Sequence, residues 1–194
     1  MNIYIYPTDT VWGLGSSIHD HEAHLRICEI KKTPANKPVS VLMAKLSDVQ
    51  EYFNLPATTN LELLREIFQL EATLGLPLKW MHKKIPDYIF AGSSWIGVRC
   101  LERPSVQELM KMASAPVTTT SLNYSGEAPI TSEVLAREFS KRIKHCTVIP
   151  PSLTDPPMSG QSSCLICFEE TGGFKLIRSG RYSERLQNLA KRLF

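Results

Sequence analysis

Apolar and polar positions alternate along Asn2-Ile3-Tyr4-Ile5, the period of a strand, and the run meets Pro7, which has no N–H to give a ladder. The stretch Tyr6 to Gly15 is then expected to be a turn that presents the Thr8 and Thr10 hydroxyls and several backbone N–H groups, with Gly13 and Gly15 supplying conformations closed to other residues. Asp20 caps a helix carrying Ala23, Ile27 and Ile30 on one face. After a polar loop, Pro38 to Met43 reads as a strand. Two capping boxes follow: Ser47 with Gln50 for a short helix through Phe53, and Thr59 with Glu62 for a longer one in which Leu61, Leu64, Phe68 and Glu71 trace the helical period. Trp95 to Arg99 reads as a strand, Ser105 with Glu108 opens a helix, and Pro116 to Ser121 is a strand rich in β-branched residues. Thr131 or Ser132 opens a basic amphipathic helix through Lys144. Strands near Cys146 to Ile149, Cys164 to Phe168 and Phe174 to Arg178 precede a last helix with Leu186, Leu189 and Leu193. The alternation runs without internal repeat, interrupted only by the Pro- and Ser-rich loop Pro150 to Gly160. It predicts one α/β domain over residues 1–194, a twisted mixed sheet flanked by helices.

Composition narrows the class. With 194 residues, 43% of them hydrophobic, 21% charged and a net charge of +3, the chain has material for a real core and no signature of disorder. No apolar run approaches the ~20 residues of a membrane span, and no basic segment with an apolar core opens the chain, so a cytoplasmic protein away from membranes is expected. The five cysteines are odd in number and scattered, which argues against a disulfide framework. Cys164 and Cys167 have the spacing of a metal or redox pair, but on a strand residues three apart face opposite ways and no second pair exists, so buried, unreactive thiols are expected. His19, His21 and His24 beside Asp20 read as a solvated helix start rather than a metal site.

Polar clusters at strand ends carry the candidate chemistry, because side chains there converge on ligands rather than on core. They are Thr8 and Thr10; the three lysines of Lys31-Lys32-Thr33-Pro34-Ala35-Asn36-Lys37-Pro38; Arg99 after Gly97-Val98; the tail Thr118-Thr119-Thr120-Ser121-Leu122-Asn123-Tyr124-Ser125-Gly126; and Arg178-Ser179-Gly180 with Ser162-Ser163. Cations for phosphates beside small hydroxyl and amide groups describe a nucleotide-type site with no metal-ligand cluster of its own.

In order and along nearly the whole chain, Tyr-Pro-Thr-Asp-Thr-Val-Trp-Gly-Leu-Gly, the Lys-x-x-Pro-x-x-Lys-Pro loop, Gly-Val-Arg, Thr-Thr-Ser-Leu-Asn-Tyr-Ser-Gly and Leu-Ile-Arg-Ser-Gly resemble the YrdC/YciO-type family of threonylcarbamoyl-AMP synthases. The resemblance implies a YrdC-like domain whose sheet surrounds a concave, positively charged cleft. It also implies a nucleotidyltransferase that makes threonylcarbamoyl-AMP and pyrophosphate from L-threonine, bicarbonate and ATP, for threonylcarbamoyl modification of adenosine 37 in tRNA by downstream threonylcarbamoyl-transferase proteins. The family's Lys-x-Arg and Ser-x-Asn signature falls on Lys31, Thr33, Ser121 and Asn123, with Lys31, Ser121 and Asn123 as catalytic positions. Lys37, Ser121 and Arg178 match nucleotide-contacting positions, with Lys31 and Thr33 in the same loop; Thr10, Arg99, Thr119 and one of Ser162 or Ser163 match the amino acid and carbamoyl site. Magnesium is expected to arrive with ATP rather than in a protein cage.

Departures from the pattern accompany these matches. Thr33 stands where the family's arginine is expected, a bidentate cation that a neighbouring lysine does not copy in geometry. Leu74-Gly75-Leu76-Pro77-Leu78-Lys79 replaces the usual Pro-Gly-Pro-x-Thr loop. The chain starts at its first strand rather than at the helix that normally precedes it, and ends where longer members carry a further domain. Two alternatives remain at this level: a paralogue that kept nucleotide binding but changed its acyl substrate, and an RNA-binding module for tRNA or double-stranded RNA. The module would use Lys175, Arg178, Arg181, Arg185, Lys191 and Arg192, opposed by the single acid Glu184, with Arg137, Lys141, Arg142 and Lys144.

Overall fold

Strand β1 (Ile3–Tyr6) is buried along its whole length, so its side chains must be covered on both sides of the sheet. The computed structural model, which describes residues 1–194, shows how. Ile3 and Ile5 pack with Ala23 and Ile27 of α1 (His21–Lys31) and with Ala136 and Phe139 of α6 (Glu133–Ser140). Tyr4 and Tyr6 point the other way, to Val106 and Leu109 of α5 (Pro104–Ala113). The remaining strands are β2 (Gly13–Gly15), β3 (Ser40–Met43), β4 (Ala72–Pro77), β5 (Trp95–Cys100), β6 (Val117–Ser121), β7 (Cys146–Val148), β8 (Cys164–Phe168) and β9 (Phe174–Arg178). They form one nine-stranded sheet in the order β7-β1-β2-β6-β3-β5-β4-β8-β9. It is mixed: β1/β7, β3/β5 and β4/β8 are parallel and the other neighbours antiparallel. The largest core lies between its β3-β5-β4-β8 half and helices α2 (Leu46–Tyr52), α3 (Leu61–Phe68) and α7 (Ser183–Ala190), with the short α4 (Asp87–Phe90) contributing Ile89. No helix is long and apolar enough to cross a membrane.

Several expected details shift. Gly13 and Gly15 lie in a strand rather than a turn and have no positive φ. They serve close approach: a Cβ on Gly15 would sit 1.7 Å from the Thr118 carbonyl oxygen, and one on Gly13 would sit 2.4 Å from the Tyr6 ring. The segment expected to be a loop at Leu74–Pro77 is part of β4, a central strand paired with β5 (Leu74↔Val98, Leu76↔Ile96) and β8 (Leu74↔Ile166).

Helix starts move as well. Lys45, not Ser47, is the first cap, and the Asp48 carboxylate accepts from the N–H groups of Ala44 and Lys45 at 3.2 Å. Asn60, not Thr59, caps α3 by accepting from Leu63 N–H at 3.0 Å; Thr59 donates back to the Pro56 carbonyl at 2.6 Å. α5 begins at Pro104, whose missing N–H costs nothing there, and the Ser105 hydroxyl is buried without a partner. The basic helix stops at Ser140 rather than reaching Lys144. Leu61 is exposed, and the buried stripe of α3 is Leu63, Leu64, Ile67 and Phe68. Glu71 is off the helix, with φ +55°, yet only 6% exposed.

Candidate functional site

A cavity of about 360 Å³ opens where the β1–β2 turn, the loop after α1, the ends of β5 and β6 and the start of β8 meet. Thr10, Lys31, Thr33, Lys37, Arg99, Thr119, Ser121, Asn123, Ser162, Ser163 and Arg178 all line it, so residues separated by up to most of the chain share one cavity. Four of the lining side chains are cations, and none is a carboxylate.

The β1–β2 turn is built on Thr8. Its hydroxyl donates to the Val11 carbonyl at 2.6 Å and accepts from the N–H groups of Thr10 and Val11 at 3.1 and 3.2 Å. This local wrapping fixes Thr10, whose hydroxyl accepts from Arg99 Nη1 at 3.0 Å. Arg99 Nη2 pairs with the Asp9 carboxylate, and both side chains of that pair are only 8% exposed. Asp9 had no signal in the sequence beyond an acid between two threonines. It anchors Arg99, next to the end of β5, and truncating either partner would strand a buried charge. The Pro150 to Gly160 loop locks the arrangement from behind: Ser159 N–H donates to the Asp9 carbonyl at 2.9 Å and Gly160 N–H to the Thr10 carbonyl at 2.8 Å. Glu71 holds the same loop by accepting from the Ser159 hydroxyl at 3.0 Å, which explains a buried acid at a strained backbone position.

Lys31 closes the opposite wall. Only 7% exposed, it donates to the Ser121 carbonyl at 2.5 Å, the Asn123 carbonyl at 3.0 Å and Asn123 Oδ1 at 2.8 Å. Asn123 Oδ1 also accepts from the Ser121 hydroxyl at 2.6 Å, while Asn123 Nδ2 donates to the Glu127 carbonyl at 2.7 Å. The Lys31 and Ser-x-Asn positions are therefore one hydrogen-bonded unit, with the ammonium as its hub. Burial, aided by the nearby Lys37, pushes the Lys31 ammonium down to about 8. Lys37 itself stands exposed on the loop at the cavity rim.

The third wall is Arg178, which donates through Nε to the Ser163 carbonyl at 2.8 Å and through Nη2 to the Ser163 hydroxyl at 2.9 Å. Ser163 is in turn 2.8 Å from the Thr73 hydroxyl of β4, so of the two candidate serines it is Ser163 that is tied into the site, while Ser162 is exposed. Burial, with Arg99 nearby, holds the Arg178 guanidinium below the usual arginine range.

Other sequence candidates fall outside the cavity. Cys164 and Cys167 are both buried in β8, and burial pushes the Cys167 thiol up to about 11, far from a reactive thiolate. His24 is buried at 3% exposure rather than solvated. No three His, Cys, Asp or Glu side chains come together to hold a metal ion. The C-terminal basic run faces more acids than Glu184: Lys175 pairs with Glu169 at 3.0 Å, Arg181 with Glu71 at 3.8 Å and Arg185 with Glu66 at 2.7 Å. Arg137 and Lys141 likewise pair with Glu133 and Glu138 on their own helix.

Comparison with known proteins agrees with this geometry. The profile of the Sua5/YciO/YrdC family, described as telomere recombination, matches residues 2–180. A threonylcarbamoyl-AMP synthase of Xanthomonas campestris pv. campestris is 32% identical over 132 residues, covering 67% of this chain and 69% of the relative. Among solved structures, P. abyssi Sua5 complexed with L-threonine superposes with a TM-score of 0.78 and 25% identity over 99% of this chain, which spans only 54% of that larger protein. E. coli YciO shares the fold, with a TM-score of 0.70 and 22% identity over 92% of this chain and 83% of its own.

Proposed function

Because the chain belongs to the Sua5/YciO/YrdC family, we propose that it is an L-threonylcarbamoyladenylate synthase, a nucleotidyltransferase joining L-threonine, bicarbonate and ATP. The observation that carries this reading is the convergence of Thr10 with Arg99, the Lys31–Ser121–Asn123 unit, Lys37 and Arg178 on one cavity without a carboxylate. In the reaction the threonine amine attacks CO2 and gives up a proton, or attacks bicarbonate with loss of water, to form a carbamate. A carbamate oxygen then attacks the α-phosphorus of ATP, and the bond to pyrophosphate breaks. No protein nucleophile is needed; the demands are placement in line and neutralisation of charge.

Arg99, oriented by Asp9, receives the amino acid carboxylate, and Thr10, Thr119 and Ser163 surround its polar end. Lys37 and Arg178 meet the phosphates. Lys31 holds the Ser121 and Asn123 groups at the reacting centre and adds a buried positive charge. Beside Val11, Trp12 and Val39, the lining offers hydroxyls, an amide and cations, a donor set without the carboxylates a magnesium cage requires. Magnesium would instead be held by the triphosphate itself and would supply neutralisation of phosphate charge. Thr33 leaves the loop without the family's arginine, and Lys37 supplies the cation on that side. The adenylate passes to threonylcarbamoyl-transferase proteins acting on tRNA. The RNA-binding module is the weaker reading, since Lys175, Arg181, Arg185, Arg137 and Lys141, half of the basic residues that would build it, pair with acids.

The test is pyrophosphate release by the purified chain with ATP and magnesium. Release that requires both threonine and bicarbonate supports the reading, and Thr33→Arg should leave it unchanged if Lys37 has taken over. Release independent of threonine would mean that water attacks the α-phosphorus to give AMP, and ATP that does not bind at all would end the synthase assignment.

A further inference from the structure

The Asp9–Arg99 pair separates two cavities. Arg99 and Thr10 line the first, whereas Asp9 lines a second, of about 420 Å³, which opens where the exit of β5 runs into α5, beside the start of α2, the end of α3 and the 150–160 loop. That volume falls among small-molecule sites, roughly 300–1,000 Å³. Its floor is apolar, with Leu46, Phe68, Cys100 and Leu101 each at most 4% exposed. Four charged side chains line it, and three are engaged: Asp9 pairs with Arg99, and Arg65 pairs with Glu102 at 3.4 Å, while Glu102 also accepts from Leu46 N–H at 3.2 Å. Arg103 is the exception. Its guanidinium makes a single long bond, from Nη1 to the Pro156 carbonyl at 3.4 Å. The other acids nearby are held elsewhere, Glu71 by Arg181 at 3.8 Å and Asp155 by Ser152 N–H at 2.8 Å. Burial pulls the Arg103 guanidinium below the usual arginine range, against the pull of Asp9 and Asp155 from a distance. Arg103 is also the residue from which α5 starts, and no side chain caps that helix. Pro104, its first residue, lines the cavity, and the hydroxyl of Ser105, 4% exposed, is buried without a partner.

We propose that this cavity is a second ligand site, for a small organic monoanion with an apolar body, whose carboxylate Arg103 receives at the N-terminus of α5. The site does not depend on the function proposed above. A guanidinium without a counter-ion beside the positive end of a helix dipole attracts one carboxylate, which the planar fork can hold through two parallel bonds. The apolar floor takes the rest of the molecule out of water. Charge also sets what is refused. Asp9 and Glu102 stand in the same lining, so a polyanion meets like charge there, and a neutral or cationic molecule leaves Arg103 unmet.

The probe is 4-phenylbutyrate, titrated into the full chain and followed by the NMR shifts of backbone amides. Two analogues divide the interaction: acetate lacks the apolar body, and 4-phenylbutyramide lacks the charge. Saturation with a Kd of about 1 mM or tighter is expected for the probe, with both analogues weaker by about tenfold or more. The shifts should gather at Arg103, Ser105, Val106 and Thr154. Arg103→Gln should weaken the probe about ten- to hundredfold, the size of a charge-assisted contact, while Arg65→Gln, which removes an exposed and already paired cation, should change it by no more than about threefold. An unchanged melting temperature reports that Arg103→Gln is folded; should that variant not fold, the acid and amide compared on the wild-type chain decide the matter. No saturation up to about 10 mM, an amide that binds as tightly as the acid, equal affinity in folded Arg103→Gln, or shifts confined to Lys31, Ser121 and Asn123 in the first cavity would each overturn the proposal.

Discussion

Asp9→Asn is the sharpest probe of the site's construction, because it keeps the shape of the side chain and removes only its charge. Arg99 would then keep an acceptor but lose its counter-ion at a position where both side chains are 8% exposed. Breaking a buried pair by neutralising one member costs roughly 3–5 kcal/mol, since the surviving charge stays desolvated. Arg99 has little to fall back on: Nη1 already serves Thr10 at 3.0 Å, and Nε is buried without a partner. Against a total stability of about 5–15 kcal/mol the loss is large, and at ~2–4 °C per kcal/mol for a chain of this size it lowers Tm by about 6–20 °C. Urea unfolding followed by circular dichroism measures it, with Glu133→Gln as the exposed control, where the pair with Arg137 is 51% and 42% exposed and the cost should stay near 0.5 kcal/mol. Adding Arg99→Met to Asp9→Asn removes the stranded charge, so the double variant should be destabilised by about 2 kcal/mol less than the sum of the singles. A cost below about 1 kcal/mol for Asp9→Asn, or simple additivity, would refute the claim that the pair acts as a unit.

Arg99→Lys should raise the threonine KM at least tenfold while leaving the ATP KM within about twofold, because a point charge replaces neither the fork nor its bonds to Asp9 and Thr10; equal effects on both substrates would move Arg99 out of the amino acid site. For Lys31, burial places the folded value near 8, below that of the free side chain, so the stabilising contribution is lost as the pH falls through about 8 while the positive charge in the cavity is lost as it rises through the same point. ATP affinity measured by calorimetry should therefore fall about tenfold by pH 9 in the wild type and much less in Lys31→Met, and a flat wild-type profile would contradict the buried cation. Gly15→Ala must push the β2–β6 pairing apart, as its Cβ would meet the Thr118 oxygen at 1.7 Å, and should abolish soluble expression or cooperative unfolding; a variant that melts like the wild type would disprove the close approach.

Strand-end chemistry is legible in the order of residues alone. Thr10, Arg99, Thr119, Ser121, Asn123 and Arg178 could be read as site residues because polar side chains at the ends of apolar runs have no core to join, and every one of them lines the cavity. Most strands were legible for the same reason, their β-branched or apolar runs being bounded by turn residues. β4 was not: all six of its residues are buried, so it shows no alternation, and its Gly75 and Pro77 read as punctuation although Gly75 packs against Cys167 across the sheet. Helix caps slipped by one or two residues because Ser47, Thr59 and Ser105 advertise caps locally, whereas the chain's exit from the preceding strand or turn decides where the first N–H groups face. What each charge does depends on the folded chain. Asp9 counts for nothing until residues ninety positions apart bring it to Arg99, and Lys31 turns from a loop cation into a buried hub when β6 supplies the carbonyls of Ser121 and Asn123. Local sequence sets which groups have unspent hydrogen bonds; distance, burial and counter-charge, which set how those bonds are spent, exist only once the sheet has closed around them.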